Sequence, residues 1–131
     1  MGDRISSRVS NNPEFMKLKE ETERGNFLYK VYGLVDPRDG KLFYVGCTRE
    51  LIYFRVYNHF LESKNTKKKQ MLTELLDKGL FPIVEVFYEM EEREHAYMIE
   101  RYLTNFIYNY SDHAKLVNIR NTKKINTLIS K

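Results

Sequence analysis

Between Phe27 and Gly46 the chain reads FLYKVYGLVDPRDGKLFYVG, two short runs of Val, Leu, Phe and Tyr split by Asp36-Pro37-Arg38-Asp39-Gly40. No other stretch limits the fold so tightly. Apolar, aromatic runs bounded by Pro and Gly predict an antiparallel hairpin, with Pro37 presetting φ early in the turn and Gly40 supplying the positive φ that closes it. A five-residue loop that pairs Val35 with Lys41 puts Tyr32 opposite Tyr44 and Lys30 opposite Gly46. Directly opposed side chains share a face of the sheet. Two phenols then stand together, with Lys30 two residues along on their side. Strand tyrosines are also common simply because they suit a pleated, half-buried surface, so the rest of the chain has to decide between the two readings.

Residues 1–25 begin polar and read as a disordered start, followed by a short helix. Pro13 takes its first position, Asn12 is the N-cap, and Gly25-Asn26 ends it. Its thin stripe of Phe15 and Leu18 docks on the domain or on a second copy. After the hairpin, Thr48 is a candidate N-cap with Glu50 in the first turn. Tyr53, Val56, Tyr57, Phe60 and Leu61 follow on one helical face, with Arg55 and His59 four apart on the other. A lysine-rich connection leads to a helix from Lys68 to Lys78, apolar at Leu72, Leu75 and Leu76 and stopped by Gly79. Pro82 opens a third strand, Ile83 to Tyr88. Glu91, Glu92 and Glu94 then crowd the first turn of a long helix, as its dipole prefers. Its buried stripe is Ala96, Ile99, Leu103, Phe106, Ile107 and Tyr110, with Glu100 roughly 60° from the stripe's centre. A carboxylate at the edge of a core is more informative than one in an acidic cluster. Lys115 to Asn121 reads as an extended segment returning to the sheet.

The expected class is α+β: a small three-stranded antiparallel sheet, the hairpin plus one later strand, flanked by helices in the order β-β-α-α-β-α. Residues 1–25 form an N-terminal extension, 26–121 one domain and 122–131 a basic tail. The single cysteine, Cys47, excludes an intramolecular disulfide and reads as a small packed thiol. No run of about 18 apolar residues exists for a membrane span, and an intracellular setting, cytoplasmic or nucleoid-associated, is expected. The 22 Lys and Arg against 18 Asp and Glu give a net charge of +4, so distribution matters more than the total. Lys64, Lys67, Lys68 and Lys69 cluster in one connection, and Arg120, Lys123 and Lys124 load the C-terminus. Such clusters on a balanced chain suggest a polyanion surface and, equally on charge alone, a solvated loop and a frayed tail.

Five features coincide in order. They are a tyrosine in the first strand (Val31-Tyr32), Tyr44-Val45-Gly46 ending the second, Arg55 and His59 at i and i+4, Glu100-x-Tyr102 on the long helix, and a late Val117-Asn118. Over roughly residues 27 to 121 this set resembles the GIY-YIG family of endonucleases, with Lys30 where the first motif has Gly and Val31 where it has Ile. The resemblance implies that Tyr32 activates the attacking water and that Tyr44 orients water or phosphate. It implies further that Arg55 steadies phosphate charge, that His59 is a basic partner on the same helix, and that Asn118 braces the site. Glu100 would anchor one divalent metal, Mg²⁺ with Mn²⁺ as the substitute.

The chemistry agrees with those residue types. A hard cation on one carboxylate keeps much of its water and bridges to phosphate, and an arginine fork matches phosphate oxygens. A phenol with pKa near 10 is a poor base at neutral pH, so Lys30 or His59 is expected to lower the effective pKa of Tyr32. The basic clusters would track a nucleic-acid backbone without reading sequence; DNA is the expected polymer, and RNA stays open. One such site cuts one strand, so a double-strand break calls for a homodimer or two visits. The competing readings are a non-catalytic nucleic-acid-binding module of the same fold and a protein-interaction domain contacting partners through the acidic 85–94 stretch.

Overall fold

The computed structural model of the protein describes residues 4–110 and 114–118, with the side chains of residues 108–110 outside that description. The elements run α1 (Ile5–Ser10), α2 (Pro13–Thr22), β1 (Tyr29–Asp36), β2 (Lys41–Thr48), α3 (Ile52–Leu61), α4 (Lys67–Asp77), β3 (Ile83–Met90) and α5 (Arg93–Tyr110). The strands form one antiparallel sheet in the order β2-β1-β3. The structure is thus the α+β layout expected, with two helices ahead of the hairpin rather than one. The additional helix, α1, corrects the expectation of a disordered start. Val9 is fully buried in the core, and the Arg8 guanidinium meets Asp77 of α4 at 2.8 Å. The second helix starts as its sequence dictates, Asn12 accepting hydrogen bonds from the backbone of Glu14 and Phe15.

Central β1 is covered on both faces. On one, Tyr32, Leu34 and Phe43 pack with Val9 and Phe15, with Val56 and Phe60 of α3, and with Leu72 and Leu75 of α4. On the other, Val31 and Val45 meet Ala96, Ile99, Leu103 and Ile107 of α5. Four of the six positions expected to form the α5 stripe face the sheet. Phe106 is 60% exposed and does not, and the side chain of Tyr110 lies outside the described residues.

The hairpin register differs from the expected one. Asp36, not Val35, pairs with Lys41, and a β-bulge follows between Leu34 and Val35. Leu34 therefore faces Tyr44, Tyr32 faces Gly46 and Lys30 faces Thr48. Beyond the bulge the slip totals two residues, so Tyr44 and Gly46 keep their face while their partners change; before it the slip is one, and Leu42 turns to the Val31 side. A bulge sets two residues against one, and both Phe43 and Tyr44 turn toward the cluster around Tyr32.

Residues 114–118 run parallel to the free edge of β2. Lys115 and Val117 donate backbone N–H bonds of 2.8 Å to the carbonyls of Leu42 and Phe43. Such an edge otherwise presents unpaired backbone groups. The hairpin turn anchors the same segment. The fully buried Asp36 carboxylate takes hydrogen bonds from Arg38 and, at 2.7 Å, from Lys115, while Arg38 reaches Glu74 of α4 at 2.6 Å. Hydrogen bonds from Arg38, with further help from Lys115, hold Asp36 well below the usual carboxylate range despite its burial. A depressed carboxylate stabilises the fold above its unfolded pKa and loses that contribution as pH falls toward the folded value. Asp36→Ala is expected to cost about 2 kcal/mol at pH 7 in urea unfolding. The deficit relative to the parent should shrink as pH drops below about 4.

Candidate active site

Tyr32 is the centre of the site, and its position follows from the sheet. It stands on the central strand with no solvent exposure. Directly across from it, Gly46 carries no side chain, and the phenol ring fills that space. A Cβ at Gly46 would lie 2.7 Å from the Tyr32 hydroxyl oxygen and 2.7 Å from the ring of Tyr44. Tyr44 lies diagonally across the pair, its ring centroid 6.3 Å from that of Tyr32.

A buried hydroxyl needs partners, and α3 provides them. Its start differs from the expectation: Leu51 is the N-cap, while Thr48 accepts from the Glu50 backbone in a turn ahead of the helix. The i, i+4 pair Arg55 and His59 nonetheless faces the sheet. His59 is fully buried, with Nε2 2.5 Å from the Tyr32 hydroxyl oxygen, and its ring meets that of Tyr44 edge-on at 5.0 Å. The Arg55 guanidinium is close enough to act on the same hydroxyl by charge and hydrogen bond. Burial, and then Tyr44, push the Tyr32 pKa well up; Arg55 opposes them, and the Glu100 charge adds to the rise. Burial drives His59 down to about 2, assisted by the charges of Lys68 and Arg55, so its imidazole is neutral at any working pH.

Glu100 stands on α5, on the other side of the sheet, near enough for its charge to act on Tyr32. It is part-exposed and lines a cavity of about 450 Å³ with Arg93, Glu94, Tyr97 and Arg101. Its charge acts on Tyr32 and on Cys47, whose thiol is pushed up to about 11, chiefly by burial. That thiol packs against Val31, Val45 and Ala96, the small packed thiol of the sequence reading, and its raised pKa disfavours the nucleophilic thiolate. Among the described residues no group of three or more His, Cys, Asp or Glu gathers to hold a metal. Glu100 contributes one carboxylate, a hard oxygen ligand on a part-exposed side chain. That suits Mg²⁺, which keeps several waters and needs few protein ligands.

The supporting residues divide. Asn118 braces the second motif, accepting from the Val45 backbone N–H at 3.1 Å and donating to the Val45 carbonyl at 2.6 Å, as a neighbouring strand would. Lys30 is not beside the phenol. Its stem is buried and its ammonium is held by the carbonyls of Asn26 and Leu28 at 2.8 and 2.9 Å. Of the two groups expected to lower the Tyr32 pKa, the structure brings His59 and not Lys30, and neither lowers it, since burial raises the phenol and keeps that imidazole uncharged.

The lysine cluster divides as well. Lys64 and Lys67 are exposed. Lys69 bonds the Glu62 carbonyl. Lys68 turns inward, its Nζ 2.7 Å from His59 Nδ1, 2.8 Å from Glu62 and 4.8 Å from the centroid of the Tyr44 ring. Lys68 is thus part of the site and not of a basic surface. The sequence carried a signal for this, because Lys68 is in helical phase with Leu72, Leu75 and Leu76 on the buried face of α4. Arg93, Tyr97 and Arg101 were also missed; each lies within one or two turns of Glu100 on its own helix. Arg120, Lys123 and Lys124 lie outside the described residues.

Compared with protein-family models, with curated proteins and with solved structures, the chain matches none of them.

Gly46→Ala tests how tightly the two phenols and the strand are fitted. The new methyl meets a ring already tied to His59, and overpacking of this kind costs about 1–3 kcal/mol. Urea unfolding should show that loss, and the His59 ring resonances in an NMR spectrum should shift with it.

Proposed function

We propose that this protein is a metal-dependent endonuclease that hydrolyses phosphodiester bonds in DNA, with a site of the GIY-YIG kind. One observation carries the reading. Residues from four separate elements, Tyr32 on β1, Tyr44 on β2, Arg55 and His59 on α3 and Glu100 on α5, act on one buried hydroxyl over a glycine. A packing tyrosine needs one hydrogen-bond partner, and it does not need an arginine and a carboxylate brought in from different helices.

In this reading each side chain has a task. Arg55, half-buried beside the phenol, binds phosphate through its planar fork and offsets charge that builds on the phosphate oxygens. Tyr44, also half-buried, orients the water or phosphate. Tyr32, once its own phenol proton has passed to solvent, takes the water's proton as a phenolate. Its raised pKa makes it a neutral phenol in the resting protein, so proton loss requires positive charge close by, which Arg55 provides in part. Glu100 would hold the divalent cation, Mg²⁺ or Mn²⁺, which when bound supplies positive charge to the phosphate oxygens. Exposed Arg93 and Arg101 flank that carboxylate, and exposed Lys64 and Lys67 lie on the sheet's other side. All four suit contacts to a polyanion backbone.

Supercoiled plasmid provides the assay. The protein with Mg²⁺ is expected to nick it, EDTA to stop the reaction, and Glu100→Ala to lower the rate by about 100-fold or more, the scale of losing one charge-stabilising group. Salt-sensitive DNA binding without cutting by either protein would instead establish a binding module, and cutting that survives Glu100→Ala would place the site elsewhere.

A further inference from the structure

We propose that Lys68 is a positioning residue that fixes which nitrogen of His59 carries the ring proton, and so makes His59 Nε2 a donor to the Tyr32 hydroxyl oxygen. The hydrogen-bond direction stands on geometry alone; its effect on rate rests on the endonuclease reading above.

A lysine ammonium carries three donors and no acceptor. Lys68 Nζ lies 2.7 Å from His59 Nδ1; burial lowers the Lys68 pKa, and the Glu62 carboxylate, 2.8 Å from the same Nζ, opposes that and favours the charged form. A hydrogen on Nδ1 would point at those donors, so Nδ1 is the bare, accepting nitrogen. A neutral imidazole holds one ring hydrogen, which leaves it on Nε2, 2.5 Å from the Tyr32 oxygen. That N–H therefore donates to the phenol oxygen. Arg55, which also has only donors, acts on the same oxygen. The phenol's own hydrogen is then directed away from both.

The functional consequence is one of sign. An oxygen that accepts a hydrogen bond with an arginine's charge beside it is set up to carry negative charge. Were the tautomer reversed, Nε2 would accept the phenol's hydrogen and hold Tyr32 as a neutral donor. The groups facing His59 are Tyr32 of β1, Tyr44 of β2, Arg55 of α3, Glu62 just past its end, and Lys68 of α4. Of these, Lys68 alone sits within hydrogen-bonding distance of Nδ1 as a donor; Glu62 is 3.4 Å away and already engaged by Lys68.

Nitrogen-15 NMR of the imidazoles reads the tautomer directly and requires no activity. The chain has three histidines, and His59→Gln assigns the signal. In the unaltered protein between pH 6 and 9, His59 is expected to show a protonated Nε2 and a bare Nδ1. Lys68→Met is expected to populate the opposite tautomer, and Lys68→Arg, which keeps donors only, to retain the original one. On plasmid, Lys68→Met should lower kcat about tenfold or more, while the DNA Kd and its salt dependence stay as they were, because Lys68 is not on the surface. A protonated Nδ1 in the unaltered protein would overturn the proposal even if Lys68→Met fails to fold. So would a Lys68→Met protein that keeps the original tautomer, or one that switches tautomer without losing rate. An unaltered protein that shows the expected tautomer and never nicks DNA would overturn the endonuclease reading and leave the hold of Lys68 on His59 standing.

Discussion

A phenol with no solvent contact constrains everything packed around it. Tyr32 brings a hydroxyl into the core, and a buried hydroxyl without partners costs on the order of several kcal/mol. His59 supplies one, which buries a second polar ring with a nitrogen of its own to satisfy. Lys68 meets that nitrogen, and its charge is in turn met by Glu62. Each link exists because the previous one needs it, and the chain ends only where Glu62 reaches partial exposure. Such networks are worth most when every member is satisfied and become a liability when one is removed. A hydrophobic residue at position 32 would need none of it. The fold carries the whole series nonetheless, with Arg55 besides.

Seen from the sequence, the local elements were legible because each had its own signal. Asn12-Pro13 opened a helix, Gly79 closed one, and alternation in 29–48 gave the hairpin and its faces. The register was not legible. It depends on a bulge at Phe43, where no Gly or Pro marks the extra residue, and on whether Asp36 belongs to the turn or to the strand. Asp36 belongs to both: it pairs with Lys41 and binds Arg38 and Lys115. Beyond the bulge the faces survived the error because the slip there was even, which is why Tyr32, Tyr44 and Gly46 were found together although their pairing was not.

Charged residues were the harder problem, and Lys30 and Lys68 show why. Both lie in sequence beside groups that suggest a surface or catalytic role, yet both extend long apolar stems through the core to a polar anchor. Lys30 finds backbone carbonyls, and Lys68 finds an imidazole and a carboxylate. A lysine run therefore describes a surface only after periodicity has been applied to it. By that criterion Lys64 and Lys67 remain outside while Lys68, in phase with three leucines, goes in.

Glu100 raises a different question, since nothing local sets its distance from Tyr32. It sits on α5, packed on the sheet face opposite α3, and the two sides must be held in register for one hydroxyl to feel both. The ends of α5 provide that. Its start follows β3, which pairs with β1 across from Tyr32. Beyond its last residues, 114–118 return along β2, tied by Lys115 to Asp36 and Asp39 and by Asn118 to Val45. The helix is thus closed onto the same two strands that carry the tyrosines. The Asp36 cluster, at the hairpin turn and away from Tyr32, holds that returning segment. A loss there would act on the site through geometry, as a misplaced positioning element does, and would leave every proposed catalytic group chemically intact.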